Sequence, residues 1–155
     1  LHRRRHSFPT RRSSDLLSMM LAQFRYHHEP RLRRLGIRLV WDVDLLPVAS
    51  WPARALWELQ QMLREVLANS LKHGNPKTIR ISAQCSGGIC VIVIDDDGRG
   101  FDVGFETSGR GLKHLYQRSA ELGVELSLHS CKSVPGQGTR VRWKWPLGHI
   151  PNTSP

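Results

Sequence analysis

The sequence predicts an α/β protein, a two-layer sandwich with a mixed sheet on one side and helices on the other. Three observations carry that expectation. Residues 52–73 repeat apolar side chains at helical spacing, with Leu56, Leu59, Leu63, Val66, Leu67 and Ser70 on one stripe. Residues 89–94 are an unbroken apolar run, Ile-Cys-Val-Ile-Val-Ile, of the kind that occupies the middle of a sheet. Residues 139–145 alternate, placing Val141, Trp143 and Trp145 on one face and Arg140, Arg142 and Lys144 on the other.

The elements follow in order along the chain. A short helix is expected over residues 16–28, stopped by Pro30, which has no amide hydrogen to continue the ladder. Residues 37–43 alternate as a strand, and Pro47 and Pro52 punctuate the loop after it. The long helix over 52–73 ends at Gly74-Asn75-Pro76. Strands over 78–85 and 89–95 form a hairpin through Ser86-Gly87-Gly88, and the second of them is expected at the sheet centre. A helix over 112–122 and strands over 124–130 and 139–145 complete the domain.

Size and composition narrow the function classes. A chain of 155 residues, 39% of them hydrophobic, holds one domain with a core and leaves no room for a sensor or a membrane anchor beside it. The longest apolar run is far below the ~20 residues that span a bilayer, so no membrane contact is expected of this fragment. Cys85, Cys90 and Cys131 lack CxxC spacing and are expected as reduced thiols, with neither a disulfide framework nor a zinc site. Of the net charge of +10, the first fifteen residues contribute +4 (five arginines against Asp15), so the remainder carries +6 and no specific nucleic-acid partner is expected. Residues 1–15 lack apolar periodicity and are expected to be disordered. The run from His6 to Leu16 resembles translated sequencing-adapter read-through, which implies that the natural protein extends further upstream. The folded domain is expected over 16–147, with 148–155 as a flexible tail.

Three segments in fixed order carry the chemistry. The helix bears Glu65-xxx-Asn69-xxx-His73, preceded at position 72 by a lysine. The central strand ends in Asp96-Asp97-Gly98-Arg99-Gly100-Phe101. Gly109-Arg110-Gly111-Leu112 then opens the next helix, and a late Gly136-Gln137-Gly138-Thr139 follows. This order resembles the N-box and glycine boxes of the GHKL, or Bergerat-fold, ATPases, and over roughly 21–147 it is most similar to the ATP-binding domains of NarX/DesK-like sensor histidine kinases. Where that family commonly has Gly-Gly, this chain has Gly123-Val124.

The resemblance implies ATP and Mg as ligands, and it assigns parts. Asp96 accepts the adenine amino group, with Gly98, Gly100 and Phe101 admitting the base and sugar. Asn69 completes Mg coordination through its amide oxygen. Glu65 orients or deprotonates the attacking group. Lys72 and His73 stand near the phosphates, and Gly109, Arg110, Gly111 and Leu112 offer free helix N-terminal amides to them. Thr139 holds the water network beside the adenine carboxylate, and 102–108 form a short lid. Asp95 and Asp97 are expected to be exposed and uninvolved, and Arg118 to form a structural salt bridge.

The implied function is the catalytic domain of a two-component kinase. Its γ-phosphate would pass to a histidine on a dimerisation domain outside this chain and then to a response regulator. A cytoplasmic location is implied, with homodimerisation, and any inner-membrane anchor, belonging to the full-length protein. His27 and His28 are not expected to be phosphoacceptors, because Pro30 would end their helix. The alternatives are an anti-sigma-factor-type serine kinase, a basic nucleic-acid-binding module and a catalytically silent ATP-binding regulator.

Overall fold

A computed structural model describes residues 15–43, 46, 51–101, 110–130 and 136–148. Its elements are α1 (Asp15–Arg34), β1 (Arg38–Val43), α2 (Ala53–Asn69) continued by a π-helical turn (Ser70–Gly74), β2 (Thr78–Ser86), β3 (Ile89–Asp96), α3 (Arg110–Glu121), β4 (Glu125–Ser130) and β5 (Thr139–Pro146). The strands lie in the order β1-β2-β3-β5-β4, with β1 parallel to β2 and every other neighbouring pair antiparallel. The sheet is therefore mixed and β3 is central, as its apolar run requires.

One face of the sheet is buried under the helices. Ile79, Ile81 and Ala83 of β2, Cys90, Ile92 and Ile94 of β3, and Val141, Trp143 and Trp145 of β5 all point into the core. They meet Leu56, Leu59, Met62, Leu63, Val66 and Leu67 along α2, which packs between α1 and α3. Each leucine so buried contributes about 1.5–3 kcal/mol. On the opposite face Arg80, Asp95 and Arg140 stand in one cross-strand row, and Asp95 is ion-paired with Arg140 at 3.2 Å.

Helix α1 does not stop at Pro30. It runs on to Arg34 because its apolar stripe, Leu17, Leu21 and Phe24, is resumed by the buried Leu32 beyond the proline. The one hydrogen bond that Pro30 forfeits would have gone to the carbonyl of Tyr26, and both residues are exposed, so the loss falls on the solvent side of the helix. The end of the helix is a Schellman turn on Gly36, at φ +72°, with Ile37 N donating to Leu32 O at 2.9 Å. The same device on Gly123 closes α3: Val124 N donates to Ser119 O at 2.9 Å, and Val124 is buried. The valine at this position thus fills the apolar contact that the motif provides.

The expected free thiols are not found at Cys85 and Cys90, which form a disulfide across the β2–β3 hairpin. The two-residue turn at Gly87-Gly88, both at positive φ, sets a register in which the two cysteines are direct partners with Cα atoms 4.0 Å apart. Spacing alone does not reveal that pairing; register does. Cys131 lies outside the described residues, as do 1–14 of the expected disordered segment, 149–155 of the expected tail and 102–108 of the expected lid. Asp15 opens α1. No described helix is long and apolar enough to cross a membrane.

His28 packs on Phe24, ring centroids 4.4 Å apart, on the side of α1 that faces α2. Burial pushes its imidazole below the ordinary value of 6.5, and the charges of Arg64, His27 and Arg31 act in the same direction. The sign follows: as pH falls below 6.5 the unfolded chain takes up the proton first, so stability is full above that value and is lost through the lowered folded-state value. Thermal unfolding between about pH 7.5 and about pH 5.5 should therefore show a falling midpoint, and His28→Gln should flatten the fall. An unchanged slope in the variant would mean that other groups carry the acid sensitivity.

Candidate functional site

The site begins with a change of helical pitch. Helix α2 keeps α-geometry to Asn69 and then widens into the π-helical turn Ser70–Gly74, which ends on Asn75 in the left-handed region at φ +48°. That turn brings Ser70 to the end of the central strand, where its Oγ donates to Asp96 Oδ2 at 2.6 Å. The other carboxylate oxygen, Oδ1, accepts from Gly98 N at 2.8 Å and from Thr139 N at 3.3 Å. A single buried carboxylate thus joins the end of α2, the turn after β3 and the start of β5.

Glycines make the close approach possible. A Cβ on Gly98 would lie 2.6 Å from Gly74 O and 2.8 Å from Asp96 Oδ1, and one on Gly138 would strike the Asp96 backbone. The turn is tied back to the helix by Arg99 N, which donates to Gly74 O at 2.7 Å. Gly100 adopts φ +63°, a conformation that a side chain would resist.

Above this network is a cavity of about 300 Å³. Glu65, Asn69 and His73 line it from one side of α2, one turn apart each, while Ser70 closes its floor. Val66 and Gly74 from the same helix and its π-helical turn, Gly100 and Phe101 after β3, Gly111 and Leu112 of α3, Leu128 of β4, and Thr139 and Val141 of β5 complete the wall. Asn69 Nδ2 donates to Glu65 Oε1 at 3.3 Å, which commits the amide nitrogen and leaves the amide oxygen to the cavity.

Most of the sequence-predicted residues converge, and the exceptions are informative. Asp96 sits directly beneath Ser70 and Thr139, which line this cavity, and itself borders a wider neighbouring cavity of about 1000 Å³ that shares Leu128 and Thr139 with the first. Gly98 is likewise behind the wall, as a backbone donor. Lys72 is exposed and does not line the cavity, because it falls about a quarter turn from His73 around the helix. Gly109 lies outside the described residues, and Arg110 opens α3.

Asp97 and Asp95 are neither exposed nor idle. Asp97 Oδ1 accepts from the backbone amides of Lys77 and Thr78, both at 2.8 Å, pinning the start of β2 to the end of β3. Burial raises its carboxyl, but these amides outweigh that and hold it below the usual carboxylate value. Arg118 is ion-paired with Glu58 at 3.2 Å. Two serines escaped sequence reasoning. Ser70 was legible only as a polar residue interrupting an apolar stripe. Ser130 accepts from Phe101 N at 2.8 Å and contacts the Thr139 hydroxyl at 3.0 Å, so it holds the glycine turn against β5 without any motif of its own.

Comparison with known proteins decides the family. The sequence profile of the histidine kinase-, DNA gyrase B- and HSP90-like ATPases matches residues 57–149. The chain belongs to this family. It is 32% identical over 124 residues to the sensor protein VraS of Staphylococcus epidermidis, covering 79% of this chain and 34% of that protein. VraS of Staphylococcus haemolyticus is 29% identical over 116 residues, 74% of this chain and 32% of that one. The chain thus spans about a third of the length of these relatives. Among solved structures, the histidine kinase domain of Erythrobacter litoralis EL346 superposes with a TM-score of 0.65 at 19% identity, covering 95% of this chain and 66% of that one. The histidine kinase AdeS of Acinetobacter baumannii gives 0.68 at 15% identity over 85% and 65%. These superpositions establish the α/β fold of histidine kinase ATPase domains, and the family establishes a nucleotide site.

Gly98→Ala is the most direct test of the turn. Its methyl group has backbone on one side and the Asp96 carboxylate on the other, so overpacking should cost about 1–3 kcal/mol in urea unfolding. A variant as stable as the parent would show that the turn opens freely.

Proposed function

We propose that residues 16–147 form the catalytic ATP-binding domain of a NarX/DesK-like two-component sensor histidine kinase. It binds Mg-ATP and presents the γ-phosphate to a histidine on a dimerisation domain, from which phosphate passes to a response regulator. The observation that carries this reading is the cavity between the Glu65–Asn69 helix, the Asp96 turn and the opening of α3.

The geometry supports a part for each residue. A carboxylate offers about four acceptor positions, and three donors hold that of Asp96. The remaining position on Oδ2 receives the adenine amine, while a guanine carbonyl there would set acceptor against acceptor. The free N-terminal amides at Gly111 and Leu112 receive phosphate oxygens. Among the described residues no three His, Cys, Asp or Glu side chains gather into a metal cage. The Asn69 amide oxygen, with the phosphates and water, would hold a cation, a donor set of hard oxygens that suits Mg. When bound, Mg neutralises phosphate charge as the γ-phosphoryl group departs. Glu65, held by Asn69, orients the attacking group and takes its proton.

Asn69→Ala should weaken Mg-ATP binding sharply in calorimetry while leaving Mg-free binding little changed; equal binding by variant and parent in both conditions would remove Asn69 from the metal role. Asp96→Asn should lose about 1.5–3 kcal/mol, or roughly one to two decades of ATP affinity, together with the preference over GTP. If inorganic triphosphate competes with ATP as well as ATP itself does, the base is not read at all.

A further inference from the structure

Ser130, the last residue of β4, lies opposite Thr139, the first residue of β5. Alternation along the two strands puts both side chains on the same face as Leu128 and Val141, the preceding cross-strand pair, which line the cavity of about 300 Å³. Thr139 lines that cavity too, whereas Ser130 lines the wider one of about 1000 Å³ beside it. Three groups meet the Ser130 Oγ: the Phe101 amide at 2.8 Å, the Thr139 hydroxyl at 3.0 Å and the Gly138 carbonyl at 3.3 Å.

A serine hydroxyl has one hydrogen and two lone pairs. The Phe101 amide can only donate and the Gly138 carbonyl can only accept, so the first takes a lone pair and the second takes the hydrogen. The remaining lone pair accepts from Thr139. In the reverse arrangement, with Ser130 donating to Thr139, the Gly138 carbonyl would face an oxygen lone pair instead of a donor. Thr139 therefore commits its only hydroxyl hydrogen to Ser130 and offers the cavity lone pairs alone.

We propose that Ser130 is a positioning residue for base selection: it fixes the Thr139 hydroxyl as an acceptor, so that a purine with an exocyclic amine is favoured over one with a carbonyl in that place. This rests on the nucleotide reading above and adds a second reader beside Asp96. The Thr139 amide donates to Asp96 Oδ1 at 3.3 Å, which sets its side chain next to the carboxylate. The adenine amine has two hydrogens, one for Asp96 Oδ2 and one for Thr139, directly or through a water. The carbonyl of hypoxanthine would meet acceptors at both. Without the Ser130 hydroxyl, that of Thr139 is free to turn, and its hydrogen can then serve a carbonyl.

The experiment titrates the whole chain with Mg-ATP and with Mg-ITP, whose bases carry the amine and the carbonyl at the same ring position, and reads the ratio of the two affinities by calorimetry. Ser130→Ala should narrow the preference for ATP about ten-fold, whereas Ser130→Thr, which keeps the hydroxyl, should retain it. Thr139→Val removes the reading hydroxyl but leaves the amide on Asp96, and should narrow the preference as well; adding Ser130→Ala to it should then narrow it no further. A serine that only braced Phe101 would weaken both nucleotides by the same factor. An unchanged ratio in Ser130→Ala, an equal loss in Ser130→Thr, or fully additive effects in the double variant would each overturn the proposal. A parent that binds ATP and ITP alike would remove the base reading beneath it, and one that binds neither would remove the nucleotide reading; the parent titrations alone separate these two results from the others.

Discussion

The Asp96 carboxylate is the constraint on which the rest of the site depends. A carboxylate so buried is tolerable only when donors surround it, and here the donors come from three parts of the chain: Ser70 at the end of α2, Gly98 in the turn after β3, and Thr139 at the start of β5. Each donor must reach the same few ångströms of space. The geometry of the π-helical turn, the glycines and the β5 register are consequences of that requirement. Moving any one of them would leave a charged oxygen short of a partner.

The surrounding glycines have the same cause. Gly74 and Gly98 allow two backbones to pass within hydrogen-bonding distance, as the Arg99 N to Gly74 O bond shows, and Gly138 lets β5 start directly against Asp96. Outside this knot, Asp97 and Ser130 act as clamps of lower cost, one on β2 and one between β4 and Phe101. Rigidity is thus concentrated where the base would lie, while the phosphate end is bounded by a helix opening and a polar side chain pair, Glu65 and Asn69.

The sheet was readable in the sequence because its signals are local: alternation in β5, an apolar run in β3 and a glycine pair in the hairpin. The boundaries that misled depend on tertiary contacts. Pro30 is a helix breaker by its own chemistry, yet burial of Leu32 and the solvent-facing position of Tyr26 and Pro30 make the loss tolerable. The Cys85–Cys90 disulfide is a matter of register, invisible to counting. In the site, Glu65, Asn69 and His73 were legible from helical spacing, whereas Ser70 and Ser130 act through single hydroxyls whose partners are 26 and 29 residues away. Lys72 falls outside the cavity lining because adjacent residues on a helix do not share a face.

Membership of the ATPase family implies a nucleotide, the cavity offers it a seat, and the buried carboxylate predicts how it should be oriented. A crystal structure of the chain with Mg and a non-hydrolysable ATP analogue tests that most directly. The exocyclic amine of adenine should lie within about 3 Å of Asp96 Oδ2, with the phosphates over Gly111 and Asn69. A base seated elsewhere, or phosphates bound with the adenine in solvent, would contradict the assignment of Asp96 and with it the account of why the site is built around that residue.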